Sequence, residues 1–371
     1  MCSCWFRTVI RVVVAGVGEV PCRPSYEGYD FREILYDAAK AAYMDAGVSV
    51  DDVTAVVSSG MDFLEGVSIS DSYSPDQVGG RLKFNTLISG DSLNAFIHAC
   101  MLVASGLHDV VAVTAYSKQS DIQNYHEILL NSLDPHTLRP LLPHPHLVAG
   151  LDASAYLHQT GADPSVLSDV AAKNMRNALK NPYAAYPADV RVEDIEKTEI
   201  LAEPVRYGHV AKLCDYAAVV VVTRAGLDVG IGGAVAVDGF GYAVGSPSSD
   251  ISLRRWGEPA WVRPAYEMAV RKKGGRKVDL VEISEPYAHT ELTILSQLGS
   301  PSKTLEREDL SHVNISGGCI GMGYPLNAAG LQRLVQAVKL MRKNGWSTAL
   351  VASPDNEMVD AGSIVLLSSE V

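Results

Sequence analysis

The sequence predicts an α/β protein made of two duplicated halves with mostly parallel sheets. Three observations predict it. Runs rich in β-branched residues alternate with runs of helical character along the chain. The order strand, helix, strand, helix, strand occurs twice, which implies helical crossovers. Apolar residues make up 47% of 371 positions, enough for a full core and too many for wholesale disorder.

The first half, residues 1–228, opens on a strand over residues 8–14. The surrounding apolar stretch is interrupted by Arg11 and lacks a small-residue cleavage site, so it reads as a buried strand rather than a signal peptide. A helix follows over residues 31–46, where apolar residues recur at helical spacing and Gly47 stops them. Residues 53–58 form the next strand. Residues 92–104 are small and apolar nearly all round, the mark of a buried helix. A strand over residues 110–115 completes the first set. An insertion of roughly residues 119–212 is rich in His, Pro, Asn and Tyr. A segment this long needs structure of its own and often covers a site. Within it, Asp163-Pro164 starts a helix over residues 165–179. Residues 218–223 read as a strand.

The second half, residues 229–371, repeats the order. Strands are expected at 234–244, 280–284 and 348–352, with helices at 258–272 and 325–343. Residues 363–367 add a last strand. The two helices stop before Gly274-Gly275 and Gly345.

Charge and cysteine content narrow the function. Lys and Arg total 31 against 43 Asp and Glu, a net −12. That balance argues against nucleic acid or an anionic membrane surface as partner, while a local basic pocket for a phosphorylated small molecule fits. No apolar run approaches the roughly 20 residues of a membrane span. Six sparse cysteines read as reduced thiols in a cytoplasmic protein, not a disulfide framework. No metal site is expected. Cys2 and Cys4 have no second ligand pair at zinc spacing, and His144 and His146 alternate with prolines, without carboxylates nearby. The basic run Arg271-Lys272-Lys273-Gly274-Gly275-Arg276-Lys277 ends a helix, so a solvated end leads and contact with phosphates comes second.

Several stretches resemble the thiolase superfamily, specifically its sterol-carrier-protein-type thiolases. They are Lys173-Asn174-Met175-Arg176-Asn177-Ala178-Leu179-Lys180-Asn181-Pro182-Tyr183, the glycine-rich run Asn314-Ile315-Ser316-Gly317-Gly318-Cys319-Ile320-Gly321-Met322-Gly323-Tyr324-Pro325, the loop Glu285-Pro286-Tyr287-Ala288-His289, and the helix and strand over residues 89–118. The resemblance runs along nearly the whole chain. It implies a five-layered αβαβα fold, a homodimer or tetramer, and an acyl-coenzyme A substrate, with no permanently bound cofactor. It also implies a possible small partner protein with a zinc ribbon and an OB-fold.

The resemblance also shows departures at the chemical positions. The family's nucleophilic cysteine position falls on Ser89, its histidine in the glycine-rich run on Tyr324, and its oxyanion-water residue on Ser284. The second cysteine has no counterpart among Ala352-Ser353-Pro354-Asp355-Asn356. A serine hydroxyl is a far weaker acid than a thiol, so it does not simply replace one. Two-step acyl-enzyme chemistry is therefore disfavoured. Tyr324 and Tyr287 resemble the tyrosines of thiolase-like aldolases, which cleave a β-hydroxyacyl-CoA by a retro-aldol reaction. One tyrosine would act as base and the other as donor, with His289 as a proton relay. Gly317, Gly318 and Gly323 permit close backbone approach, and their amides are expected to form an oxyanion hole with those at the helix start near Ser89. Plain packing of the tyrosines and helix capping by Asp91 or Ser92 compete with these readings. An acetyl-CoA acyltransferase with a displaced nucleophile, or a non-catalytic CoA-binding scaffold subunit, are the alternatives.

Overall fold

The computed structural model describes residues 10–62, 69–122, 124–137, 139–141, 144–227, 229–230, 233–245, 254–270, 278–298, 310–355, 358 and 360–371. Cys2, Cys4 and the basic run 271–277 lie outside the described residues. The strands are β1 (Val12–Glu19), β2 (Ala55–Gly60), β3 (Phe84–Ser89), β4 (Val110–Ser117), β5 (Ile200–Ala202), β6 (Val205–Arg206), β7 (Tyr216–Arg224), β8 (Val235–Val244), β9 (Leu280–Ile283), β10 (Thr348–Pro354) and β11 (Ala361–Ser368). The helices are α1 (Phe31–Ala46), α2 (Ser92–Ser105), α3 (Tyr125–Leu129), α4 (Pro145–Thr160), α5 (Ser165–Ala178), α6 (Val192–Glu196), α7 (Val262–Val270), α8 (Ala288–Leu298), α9 (Gly318–Met322) and α10 (Ala329–Asn344).

Nine strands form one sheet in the order β3-β2-β4-β7-β1-β8-β11-β10-β9. The two halves meet at β1 and β8, which share only the pairs Val13–Ala236 and Val14–Val235. Pairing corrects one expectation. Only β2–β3, β2–β4 and β9–β10 run parallel; β1–β7, β4–β7, β1–β8, β8–β11 and β10–β11 run antiparallel. The reason is that β7 and β11 return from long excursions or a short turn rather than through a helical crossover, so they reverse direction.

The layers follow from which faces are apolar. α1 is amphipathic, capped by Asp30 and ended by Gly47 at φ 68°, and it packs on the outer face of the first half-sheet through Ile34, Leu35, Ala38 and Ala42. α7 and α8 pack on the outer face of the second through Val262, Ala265 and Ile294. Between the halves lie α2 and α10. Phe96, Val103, Leu331 and Val335 share one core with Val57, Val113, Val351 and Val365. Helix, sheet, helix pair, sheet and helix make five layers. α2 and α10 are buried on both faces along their first turns, where both faces meet sheet, and emerge only toward their C-terminal ends.

Several elements differ from those expected, among them α4, α8, β5 and β6, which carry no expectation of their own, and two further differences have a plain cause. The edge strand β3 was not anticipated: its residues Phe84–Ser89 alternate weakly and are half exposed, so the apolar signal is faint. The helix expected from residue 325 begins instead at Ala329, after a 3-10 turn at Leu326–Ala328.

Candidate functional site

The site gathers where strands end. β9 and β10 are parallel neighbours, with Ala352 opposite Ile283, so the next residues, Ser353 and Ser284, lie side by side with their hydroxyls 2.9 Å apart. The Ser353 hydroxyl also bonds the Asp91 carboxylate. Asp91 is the N-cap of α2, extended at φ −72° and ψ 145°. Its Oδ1 accepts from the Leu93 amide at 2.9 Å, and its Oδ2 accepts from the Gly330 amide of α10 at 2.9 Å. Next to it, Ser92 Oγ accepts from the Leu331 amide at 2.8 Å. Burial, with Asp355 adding repulsion, pushes the Asp91 carboxyl up to about 7.

This arrangement bears on the oxyanion hole expected near Ser89. The amides at the starts of α2 and α10 are taken by Asp91 and Ser92 side chains, which is the capping reading. Ser89 itself ends β3, opposite Gly60, and is exposed.

Tyr287 and Tyr324 do come together, in one apolar cluster with Tyr156, Leu167, Leu292 and Leu326 under α4 and α5. Both are more than nine-tenths buried. Tyr287 stands just before α8, and its hydroxyl lies 2.9 Å from Nδ1 of His146, with the rings edge-on. His146 occupies the first turn of α4 after Pro145, at the helix position where proline is tolerated. His144 caps that helix and its ring sits 4.2 Å from that of His146. On the other side, the His289 ring stacks 5.6 Å from Tyr287. Burial pushes His289 down to about 3, so it is neutral, and its Nδ1 is buried without a hydrogen bond. His209, bonded to Ser168 at 2.9 Å, is pushed down to about 4 by burial and by Arg206.

Tyr324 is placed by its backbone. Its amide donates to the Lys212 carbonyl at 2.8 Å and its carbonyl accepts from the Cys214 amide. Gly323 before it sits at φ 112°, and a Cβ there would lie 2.7 Å from the Cys214 sulfur. Thus the covering insertion fixes both tyrosines, one by a histidine and one by a backbone bridge.

The glycine run serves packing. Gly318 is at φ 56°, and a Cβ on it would lie 2.0 Å from Glu285 Oε1, while Gly317 abuts Ala178. Behind the run lies a network of buried charges. Asn174 donates to Glu285 and Glu291, both at 2.9 Å, and Lys173 Nζ meets Glu291 at 2.6 Å. Asn314 bonds the same two carboxylates. Burial and Glu291 push Glu285 up to about 8. Arg333 pairs with Glu282 at 3.1 Å, both side chains fully enclosed. These contacts account for the Lys173-Asn174 and Asn314 motifs as a scaffold.

Among the described residues no group of three His, Cys, Asp or Glu side chains is placed to hold a metal ion. Cys22, Cys100, Cys214 and Cys319 are all buried and unpaired. Burial raises the thiols of Cys100, Cys214 and Cys319, which keeps them protonated. The sequence suggested His146 only as a metal ligand. Its pairing with Tyr287 spans 141 residues and leaves no local signal.

Residues 259–362 match the family model described as "Thiolase, C-terminal domain". An acetyl-CoA acetyltransferase of Methanothermobacter thermautotrophicus is 26% identical over 358 residues, covering 89% of this chain and 91% of that protein. A 17-hydroxy-3-oxo-4-pregnene-20-carboxyl-CoA lyase of Mycobacterium tuberculosis is 27% identical over 228 residues, 58% of each chain. Among solved structures, the Ltp2-ChsH2(DUF35) aldolase superposes with a TM-score of 0.80 at 19% identity, over 98% of this chain and 99% of that one. Human mitochondrial 3-ketoacyl-CoA thiolase gives 0.77 at 16% identity, over 98% and 100%.

Proposed function

We propose that this chain, which belongs to the thiolase superfamily, breaks or forms a carbon–carbon bond beside the thioester of an acyl-CoA by an aldol-type reaction, without an acyl-enzyme. The observation that carries this reading is the Tyr287–His146 hydrogen bond of 2.9 Å in a buried apolar site. Coenzyme A is part of the substrate, and no permanently bound cofactor is invoked.

In the cleavage direction Tyr287 takes the β-hydroxyl proton while its own passes to His146. The oxygen electrons form the ketone or aldehyde carbonyl, the bond between Cα and Cβ breaks, and its electrons enter the thioester enolate. Tyr324 donates a hydrogen bond to the enolate oxygen. A phenol backed by an imidazole transfers a proton near neutral pH more readily than a lone phenol of pKa about 10. The neutral His289 orients the Tyr287 ring by stacking.

The acyltransferase alternative has less support. It needs a thiolate or an activated serine, and the described thiols are enclosed while Ser89 is exposed at the end of β3. The test is direct. A 3-hydroxyacyl-CoA incubated with the chain should yield a carbonyl product and a shorter acyl-CoA. Mass spectrometry after incubation with acetyl-CoA should show an unmodified protein; an acyl group on Ser89 or Cys100 would overturn this reading.

The division into halves at residues 228 and 229 belongs to the same proposal, with β7 ending at Arg224 and β8 beginning at Val235. So does a homodimer through β3, an edge strand with an unpaired side and Phe84 47% exposed, which a second copy would cover. A tetramer and a zinc-ribbon and OB-fold partner are further arms of the test by co-purification and light scattering. No helix among the described residues is long and apolar enough to cross a membrane. A cytoplasmic location remains part of the proposal.

A further inference from the structure

An aldol-type reaction has two organic participants, the acyl-CoA and a ketone or aldehyde. The acyl-CoA carries a large nucleotide handle. The other participant has to be recognised by its carbonyl oxygen and its apolar body alone. We infer that the cavity lined by Asp152, Arg254, Gly257, His289, Thr293 and Asp360 binds a neutral carbonyl compound, the ketone or aldehyde that the reaction releases or consumes. The inference rests on the aldol reading above and names the second ligand of that reaction.

The cavity lies between α4, which carries Asp152, and α8, which carries His289 and Thr293. Its space is about 400 Å³ including an open mouth, where Arg255 is exposed. Inside, His289 Nδ1 and Arg254 Nε are both buried without a hydrogen bond. His289 as a whole is only 3% exposed. The Arg254 Nε–H can only donate, and a neutral imidazole donates in its Nδ1–H tautomer. The remaining guanidinium nitrogens are occupied. One meets Asp360, and the other meets Asp152 at 2.5 Å and the Met358 carbonyl at 2.7 Å. Asp152 also accepts from the Gly257 amide at 3.0 Å. These bonds hold the guanidinium in place with its Nε edge left over. A buried donor without an acceptor is costly, and two in one cavity call for an acceptor from outside the chain.

Charge selects which acceptor. Arg254 and Arg255 stand against Asp152, Glu258 and Asp360 around the cavity, and His289 is neutral because burial pushes it down to about 3. Two cations against three carboxylates repel a further anion, and the open Arg254 donor offers a cation nothing. A neutral oxygen acceptor satisfies both conditions, and in an aldol reaction that is the ketone or aldehyde carbonyl. His289 ties the cavity to the chemistry, because the ring that lines the cavity also stacks 5.6 Å from Tyr287. The phenol that takes the hydroxyl proton and the donor that receives the resulting carbonyl stand on neighbouring rings.

The experiment titrates the full chain into cyclohexanone, cyclohexanecarboxylate and cyclohexylammonium and follows the ligand line widths by NMR. The ketone should bind, and the two ions of like size should bind at least about tenfold more weakly. His289→Phe keeps a ring against Tyr287 and removes the donor, so ketone binding should weaken about 2- to 10-fold, the scale of one neutral hydrogen bond. Thr293→Leu narrows the cavity and should abolish ketone binding. Thermal unfolding checks that both variants fold, and should one fail, the other carries the test. Equal affinity for the three probes, or ketone binding unchanged in the folded variants, overturns the inference. No ketone binding by a chain that cleaves a 3-hydroxyacyl-CoA means that the cavity holds water only, which overturns the inference and leaves the aldol reading intact. Ketone binding by a chain that cleaves none overturns the aldol reading and leaves the cavity its ligand.

Discussion

Asp91 and Gly330, 239 residues apart, meet at 2.9 Å, and through that bond one carboxylate terminates two helices. α2 comes from the first half and α10 from the second, so their common cap fastens the middle layer of the fold at the end where the tyrosines lie.

Replacing Asp91 by alanine removes both caps and leaves two enclosed amides without acceptors. The expected loss is about 1–3 kcal/mol, read from urea unfolding. Asp91→Asn retains one acceptor oxygen and should lose less. An unchanged midpoint for Asp91→Ala would contradict the shared cap.

The pH dependence has a definite sign. Asp91 is pushed up to about 7 and Glu285 to about 8, whereas unfolded carboxyls titrate near 4. Between those values the unfolded chain has released protons that the folded chain still holds. Stability from these groups is therefore full below about pH 4 and falls as pH rises to about 8. Thermal midpoints should drop from pH 5 to pH 8, and Glu285→Gln should flatten that slope. A slope as steep in Glu285→Gln as in the parent chain would contradict the assignment.

Tyr287→Phe removes the phenol and keeps the ring packing. Turnover should fall about 100- to 10,000-fold with little change in KM. His146→Gln should lower turnover less. Ser89→Ala should stay within about twofold. Loss of activity in Ser89→Ala alone would return the reaction to acyl transfer.

Arg333 and Glu282 form a fully enclosed pair. Arg333→Met strands the carboxylate and should cost about 3–5 kcal/mol, while the double variant with Glu282→Gln should recover much of that loss. Chemical denaturation of the three variants gives the coupling.

The layers and element order were legible because the strands and helices carry their own period, as in residues 31–46 and 92–104. β3 was not, because an edge strand with one open side needs little apolar sequence. Strand direction was missed for β7 and β11, since direction depends on the path between strands. The tyrosines were legible only through resemblance, and the structure places them in one cluster. His146 was visible as a residue but not as a partner of Tyr287. It acquires meaning from a contact across more than a hundred residues.

The two-rung seam between β1 and β8 has a consequence during synthesis. As the ribosome delivers the first half, α2 has one face against its own strands and the other turned toward a layer that does not yet exist. Phe96, Val103 and their neighbours complete their core only with β10, β11 and α10. A nascent chain stalled before residue 329 therefore displays an apolar slab, with the second acceptor oxygen of Asp91 waiting for its amide. Such an intermediate is a natural client for chaperones, and the first half alone should aggregate where the whole chain does not.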